Sequence, residues 1–257
     1  MKKAVKQSPL ELLFLGSGNG FAPGRNFSSF LLDGRILFEP SPTSLPFLKK
    51  RGIPLHQIDY VFVSHFHGDH CFGLPFLFLD HYFVTRRERP LTIIGQKGTR
   101  KFSNQLMEMA FPKTRKRYAK NFPVVFQEVG PGRTCSLKEL TFTAYRMYHA
   151  PTAVLGFRIV YKKRRLAYSG DTGPCAGLLK LIQGVNVAIL EMSSLKDDYP
   201  SHLNRQNILD IRKILPSESR LILTHLPFLT AGQKKALREN PYGALDLAED
   251  GKVFQLD

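Results

Sequence analysis

One short stretch constrains this chain more than any other. The apolar run Ile58 to Val63 ends in Ser64-His65-Phe66-His67-Gly68-Asp69-His70. Three imidazoles and a carboxylate within six residues are borderline donors that suit zinc, and equally iron or manganese. The chain has 8 histidines, so three of them beside an aspartate in one such stretch are not a scatter of surface residues. A buried strand that ends in this cluster delivers it to a sheet edge, where other strands can add ligands in fixed geometry. Gly68 is expected to permit the tight backbone path between strand and helix.

Three further candidates each close an apolar strand pattern. His149 follows Thr141 to Tyr148, Asp171 follows Leu166-Ala167-Tyr168-Ser169-Gly170, and His225 follows Leu221-Ile222-Leu223-Thr224. Singly, each has an ordinary alternative, a loop histidine or an N-capping aspartate. Together they describe one site. The remaining pattern is strand Leu10 to Leu15 before Gly16-Ser17-Gly18-Asn19-Gly20, a hairpin from Phe30 to Phe38 turning at Asp33-Gly34, and helices over Leu45 to Arg51 and Cys71 to Phe83. Strands follow near Leu140 to Tyr148, Leu155 to Tyr161, Arg165 to Ser169 and Val185 to Leu190. Helix Arg205 to Leu215 places Ile208, Leu209, Ile211, Ile214 and Leu215 on its apolar side, and a last strand covers Val253 to Leu256. Residues 86–135 mix short apolar runs with basic loops and give no clear pattern. Without repeats or linkers, residues 1–257 are expected to form a single domain, an α/β structure of two sheets packed face to face with helices outside.

In order and spacing these motifs resemble the metallo-β-lactamase superfamily, and within it the phosphodiesterase and ribonuclease Z branch. The resemblance spans nearly the whole chain, from Gly16-Ser17-Gly18 and Arg25-Asn26-Phe27-Ser28-Ser29 through the His65 cluster and His149 to Ser169-Gly170-Asp171-Thr172 and Thr224-His225. It implies the four-layer αβ/βα sandwich and two divalent metal ions, zinc first with Mn2+ or Fe2+ as alternatives. His65, His67 and His149 would hold one ion, Asp69, His70 and His225 the other, and Asp171 would bridge both. A hydroxide shared by ions roughly 3.5–4 Å apart would be the nucleophile, with Asp69 supporting it as a catalytic residue.

Such a centre serves a phosphodiester, thioester, lactone or lactam equally. Val187-Ala188-Ile189-Leu190-Glu191 and His202-Leu203-Asn204 narrow the choice, because they are similar to the segments of ribonuclease Z-like enzymes in which a glutamate orients a proton-donating histidine. Glu191 and His202 take those roles by resemblance, although Leu203-Asn204 departs from the family's small hydroxyl residues. His149 and Asp171 stand only 22 positions apart (171 less 149), which leaves room for one hairpin and none for the arm that grips tRNA. The expected function is therefore metal-dependent hydrolysis of a small phosphodiester or nucleotide-like substrate. An ester-type hydrolase, ribonuclease Z-like RNA processing and a non-catalytic nucleic-acid binder are the alternatives.

Charge keeps RNA among the candidate partners. Lys and Arg number 37 against 21 acids, a formal +16, clustered at Arg86-Arg87-Glu88-Arg89, at Lys113-Thr114-Arg115-Lys116-Arg117 with Lys120, and at Lys162-Lys163-Arg164-Arg165, the last read as a hairpin turn. Near the second cluster, Phe111, Tyr118 and Phe122 are the aromatics available for stacking. The basic start and the short apolar stretch after it do not match a signal peptide, and no apolar run nears 18 residues. Three cysteines without metal-ligand spacing fit a reducing compartment. A cytoplasmic location with no membrane partner is expected, and a homodimer is the assembly allowed for.

Overall fold

The structure is a computed structural model that describes residues 9–118, 120 and 122–256, with only the backbone for Arg117 and Tyr118. The basic start of the chain, the Arg117 side chain and the Tyr118 ring lie outside the described residues.

Strands β1 (Leu10–Gly16), β2 (Ser29–Leu32), β3 (Ile36–Phe38), β4 (Tyr60–Val63), β5 (Leu91–Gln96), β6 (Val124–Val129) and β14 (Val253–Leu256) form one sheet in the order β14-β1-β2-β3-β4-β5-β6. The other contains β7 (Thr134–Ser136), β8 (Leu140–His149), β9 (Thr152–Tyr161), β10 (Arg164–Tyr168), β11 (Val187–Glu191), β12 (Arg220–Thr224) and β13 (Asp246–Leu247), in the order β13-β12-β11-β10-β9-β8-β7. Antiparallel pairing joins β1, β2 and β3, and parallel pairing runs from β3 to β6. In the second sheet β8, β9 and β10 are antiparallel, and β10 to β13 are parallel. Consequently β1, β3 and β4 point one way in their sheet, and β8, β10, β11 and β12 share a direction in theirs. Their carboxyl ends are where the chemistry collects.

Period-2 alternation explains the layers. In β1, Leu10, Leu12 and Phe14 join the core between the sheets, whereas Leu13 and Leu15 pack outward under helices. Tyr60 and Phe62 of β4 face inward and Val61 and Val63 outward; in β11, Val187 and Ile189 face inward and Ala188 and Leu190 outward. Because both faces of β4 and β11 are covered, these two strands are buried throughout. The inter-sheet core is rich in rings: Phe30 stacks on Phe38 at 4.4 Å, Phe38 on Phe62 at 4.7 Å, and Phe62 meets Phe157 edge-on at 5.0 Å. Each such ring contributes about 1.5–3 kcal/mol through burial.

Helices α1 (Ser44–Lys50), α2 (Gly68–Cys71), α3 (Leu74–Phe83), α4 (Thr99–Ala110) and α5 (Thr114–Tyr118) belong to the first half of the chain; α6 (Ala176–Leu181), α7 (Arg205–Ile214) and α8 (Ala231–Arg238) belong to the second. Residues of α1, α3 and α4 share the outer core of the first sheet, and residues of α6, α7 and α8 that of the second. This is the αβ/βα sandwich expected. The hairpin turns at Asp33 and Gly34, both at positive φ, with the Arg35 N–H donating to the Leu32 carbonyl.

Several expectations change in detail. The helix expected from Cys71 to Phe83 is two helices broken at Phe72-Gly73, where the Gly73 N–H donates to the Pro40 carbonyl at 2.8 Å and Pro75 has no N–H to give. Gly68 does not adopt a left-handed conformation; it opens α2, and its missing side chain leaves room for the Phe72 ring, 3.0 Å from where a Cβ would stand. Ile214 is 60% exposed rather than on the apolar side of α7. Arg212 is buried there instead, its guanidinium donating to the carbonyls of Ser219, Leu215 and Pro216.

Candidate metal centre

Every candidate ligand lies just beyond the carboxyl end of a strand: the His65 segment after β4, His149 at the end of β8, Asp171 after β10 and His225 after β12. Gly170, at φ +59, brings two of these loops together, since a Cβ there would lie 2.8 Å from the Ser64 Cβ. Donor atoms of His65, His67, His149 and Asp171 fall within 4.8 Å of one another, and so do those of Asp69, His70 and His225. Asp171 joins the two groups. Its Oδ2 lies 3.8 Å from His65 Nε2 and 3.6 Å from His225 Nε2, and its Oδ1 lies 3.3 Å from His70 Nε2. Asp69 Oδ2 lies 3.5 Å from the Nε2 atoms of both His70 and His225. All seven residues are brought together.

The outward nitrogen of four of the five rings, those of His65, His67, His149 and His225, is held. His149 Nδ1–H donates to the Ser201 carbonyl at 3.1 Å, which leaves its Nε2 lone pair facing His67. His67 is turned the other way, with Nε2 on Thr152 Oγ1 at 3.0 Å and Nδ1 inward. Ser64 Oγ meets His65 Nδ1 at 2.8 Å. Ser193 Oγ–H donates to Glu191 Oε2 at 2.8 Å and so accepts from His225 Nδ1–H at 2.7 Å. Partners of this kind fix ring orientation and tautomer.

A divalent ion fits what remains. His65 Nε2, His70 Nε2 and Asp171 Oδ1 are buried without a hydrogen-bond partner. Each such atom costs about 1–3 kcal/mol when unsatisfied; His65 belongs to one donor group and His70 to the other, with Asp171 facing both, so each group calls for a ligand. Protonation agrees: burial, then the neighbouring His70, holds His65 well below its ordinary value, and burial with His149 lowers His67, so both rings are neutral donors. Burial works against the charge on Asp171, yet His225 and His70 hold it well below the carboxylate range. Burial also opposes a charge on His70, but the facing Asp171 raises it well above its ordinary value. Asp171 thus favours the protonated form of His70, and binding of an ion there would displace that proton.

Glu191 and His202 stand at the same centre. His202 Nδ1 lies 2.7 Å from Glu191 Oε1, and His202 also falls within 4.8 Å of Asp171 and His225 donor atoms. Asn204 caps α7 in a reciprocal box with Asn207, so the departure at this position still opens the helix. Cys71 is buried with its thiol on the His67 carbonyl and is not among the grouped donors.

Glu39 is a site residue that the motif reading missed. It is fully buried, its Oε1 accepts the Ser64 N–H at 3.1 Å, and its Oε2 lies 3.6 Å from His70 Nδ1. The signal was present, because Glu39 closes β3 just as the other candidates close their strands.

The centre opens into a cavity of about 810 Å³ whose lining includes Asn19, Phe21, Lys196, Tyr199, His202 and Phe228. The basic clusters stand apart from that lining. Arg87 is buried and shares Asp59 with Arg35 and Arg89, so the 86–89 cluster is largely structural. Lys162 pairs with Asp33 at the hairpin expected there. Phe122 is buried and Phe111 packs against Phe76, so neither is offered to bases. Among the described residues no helix is long and apolar enough to cross a membrane.

The model of the beta-lactamase superfamily domain matches residues 34–226. A ribonuclease Z from Bacillus licheniformis is 26% identical over 95% of this chain and 94% of its own length. A ribonuclease BN from Escherichia coli is 26% identical over 96% of this chain and 100% of its own. The first alignment runs over 308 positions, more than the 257 residues of this chain, so the relative carries segments that this chain lacks. Among solved structures, the metallo-beta-lactamase fold protein YhfI from Bacillus subtilis superposes with a TM-score of 0.76 at 20% identity, covering 96% of this chain and 99% of its own. Human tRNase Z, short form, superposes with a TM-score of 0.75 at 24% identity over 96% and 99%. Both likenesses concern the fold.

Proposed function

The chain belongs to the beta-lactamase superfamily, and from that footing we propose that it is a metal-dependent hydrolase that cleaves phosphodiesters at two divalent ions. His65, His67 and His149 would hold one ion, Asp69, His70 and His225 the other, and Asp171 both. The donor set of five imidazoles and two carboxylates suits Zn2+. Bound ions of this kind lower the pKa of water and neutralise charge on the attacking and leaving oxygens.

The chain's own groups supply the rest. Asp69 stands at the mouth of the centre, with Oδ2 3.5 Å from His225 Nε2. His202 stands on the cavity side with Nδ1–H committed to Glu191, which leaves Nε2 to carry a proton to a leaving oxygen. Burial lowers the pKa of His202, but the Glu191 hydrogen bond and charge outweigh it, so the ring is a stronger base than an ordinary histidine and keeps its proton to higher pH. This pair is the observation that supports the reading over a thioesterase, because phosphodiester cleavage must protonate an alkoxide, whereas thioester cleavage expels a thiolate that needs no such donor; a lactone or lactam would use the same donor, and the substrate panel below separates them. Strands β1, β2, β13 and β14 lie outside the matched span yet complete the same two sheets, which supports one domain over the chain.

The substrate is small on this reading. The hairpin β9–β10 alone fills the interval between His149 and Asp171, where a tRNA-gripping arm would need to emerge. The test is a panel of chromogenic substrates with metal-loaded protein: bis-p-nitrophenyl phosphate against a lactone, a thioester and nitrocefin. Turnover of the phosphodiester, abolished by chelator and restored by metal, is expected. Preference for the lactone, thioester or lactam would assign the centre to ester-type chemistry.

A further inference from the structure

Three aromatic rings line the cavity while remaining largely open to solvent. Phe21 is 95% exposed, Phe228 62% and Tyr199 61%. They come from separate loops, after β1, β12 and β11 respectively, yet those loops are cross-linked through Asn19. Its backbone N–H donates to the Leu226 carbonyl at 3.1 Å, its Nδ2 to the Ser193 carbonyl at 3.4 Å, and its Oδ1 accepts the Phe21 N–H at 3.0 Å. The Tyr199 loop is braced as well, by Ser194 Oγ on Asp198 at 2.5 Å and Asn204 Nδ2 on Asp197 at 3.1 Å. Loop tips are ordinarily small and polar. Rings held by braced loops around a concave site mark a recognition surface.

Charge decides what that surface takes. Among the described residues, Lys196 is the one lysine or arginine of the lining, beside Asp69, Asp171 and Asp198, although the protein carries a formal +16 overall. A ligand rich in phosphates would meet a single cation here. A ligand with one ester phosphate and a flat apolar body would meet the metal ligands at one end and the rings at the other.

We propose that Phe21, Tyr199 and Phe228 form a stacking subsite for the planar base of a nucleoside phosphodiester whose phosphate lies at the metal centre. The assignment rests on the phosphodiesterase reading above and adds the residues that select the substrate. Base–aromatic stacking tolerates any base, because each has a π face, so the subsite discriminates nucleosides from plain alkyl groups rather than one base from another.

The experiment compares thymidine 5′-p-nitrophenyl phosphate with methyl p-nitrophenyl phosphate on the metal-loaded full chain. The two share a leaving group and differ only in the base-bearing half. The thymidine ester is expected to be preferred in kcat/KM by roughly 10- to 100-fold, mostly through KM. Phe21→Leu and Phe228→Leu should each cut that preference by roughly 3- to 10-fold, while Phe76→Leu, an exposed ring on α3, leaves it as in the wild type. Equal kcat/KM for the two esters, or a preference unmoved by the leucine variants, overturns the subsite. Turnover of neither ester would count against the phosphodiesterase reading instead, and calorimetry then decides the subsite. Thymidine 5′-monophosphate should bind more tightly than methyl phosphate, with the difference lost in the Phe21→Leu/Phe228→Leu double variant. Equal binding of the two phosphates overturns it.

Discussion

Glu191 Oε1 accepts the Nδ1–H of His202 at 2.7 Å, from a carboxylate that is only 1% exposed. The same carboxylate receives Ser193 Oγ–H, and through it steadies His225. One buried acid thus orients two histidines together, those proposed as the proton donor and as a metal ligand. His202→Ala should lower phosphodiester turnover by roughly 10²–10⁴-fold, the range for one general acid, with metal content intact. Loss of metal together with activity would make His202 a ligand, a role its closeness to Asp171 and His225 also permits.

The pH profile tests the partner. His202 acts protonated, so its activity falls as pH rises through its pKa, and Glu191 raises that pKa against the effect of burial. Glu191→Gln keeps a hydrogen-bond acceptor but removes the charge. The alkaline limb of kcat/KM should therefore move to lower pH in the variant. An unmoved limb would mean that another group sets it.

Metal content is the third expectation. Protein purified without chelator and reconstituted should hold about two zinc-like ions per chain. Asp69→Ala and His67→Ala should each nearly abolish turnover, since each removes a donor from a different half of the centre. Uptake should release protons and weaken on acidification, because Asp171 favours a protonated His70 and that proton must leave to solvent as the ion binds. Fewer than about half an equivalent after reconstitution would defeat the binuclear assignment.

Stability on acidification reports a group far from the chemistry. His81 is fully buried in α3, and burial with the charge of Arg87 pushes its pKa down to about 3. The unfolded chain binds a proton near the ordinary histidine value while the folded chain does not. Stability from this residue is therefore present above about pH 6.5 and is lost as pH falls below it, by up to roughly 1.4 kcal/mol per pH unit. His81→Asn should flatten the dependence of the urea midpoint between about pH 6.5 and pH 4.5 relative to wild type, both measured without metal. Parallel curves would show that His81 takes up its proton in the folded state.

The basic surface of α5 is expected to stand outside catalysis. Neutralising Lys113, Arg115, Lys116 and Arg117 together should leave turnover of bis-p-nitrophenyl phosphate unchanged. If those residues instead grip RNA, affinity for a precursor tRNA will fall steeply with salt, and the variant will flatten that slope by up to about four charges' worth. Labelled precursor incubated with metal-loaded protein settles the matter on a gel, where tight binding and a defined 3′ cut would overturn the small-substrate reading.

What could be read from the sequence was local in origin. Alternation in β1, β4 and β11 follows from the two-residue pleat, and a ligand-type residue closing an apolar run shows its place at a sheet edge before any partner is known. The order of the seven donors was legible for that reason. Glu39 obeyed the same rule and was passed over, because a lone glutamate after a short strand gains meaning only when His70, from a different strand, is brought beside it. Gly68 and Ile214 misled because a glycine and an apolar side chain have uses that depend on what packs opposite: the Phe72 ring in one case, solvent in the other. The basic clusters read as one class of surface. Only the tertiary structure separated Arg87, sunk onto Asp59, from the exposed Lys113 and Lys116 at α5, since burial of a charge is decided by the carboxylate that comes to meet it from elsewhere in the chain. The rings at the mouth were likewise invisible in order, because Phe21, Tyr199 and Phe228 come to line one cavity only when the loops that Asn19 bonds are brought together.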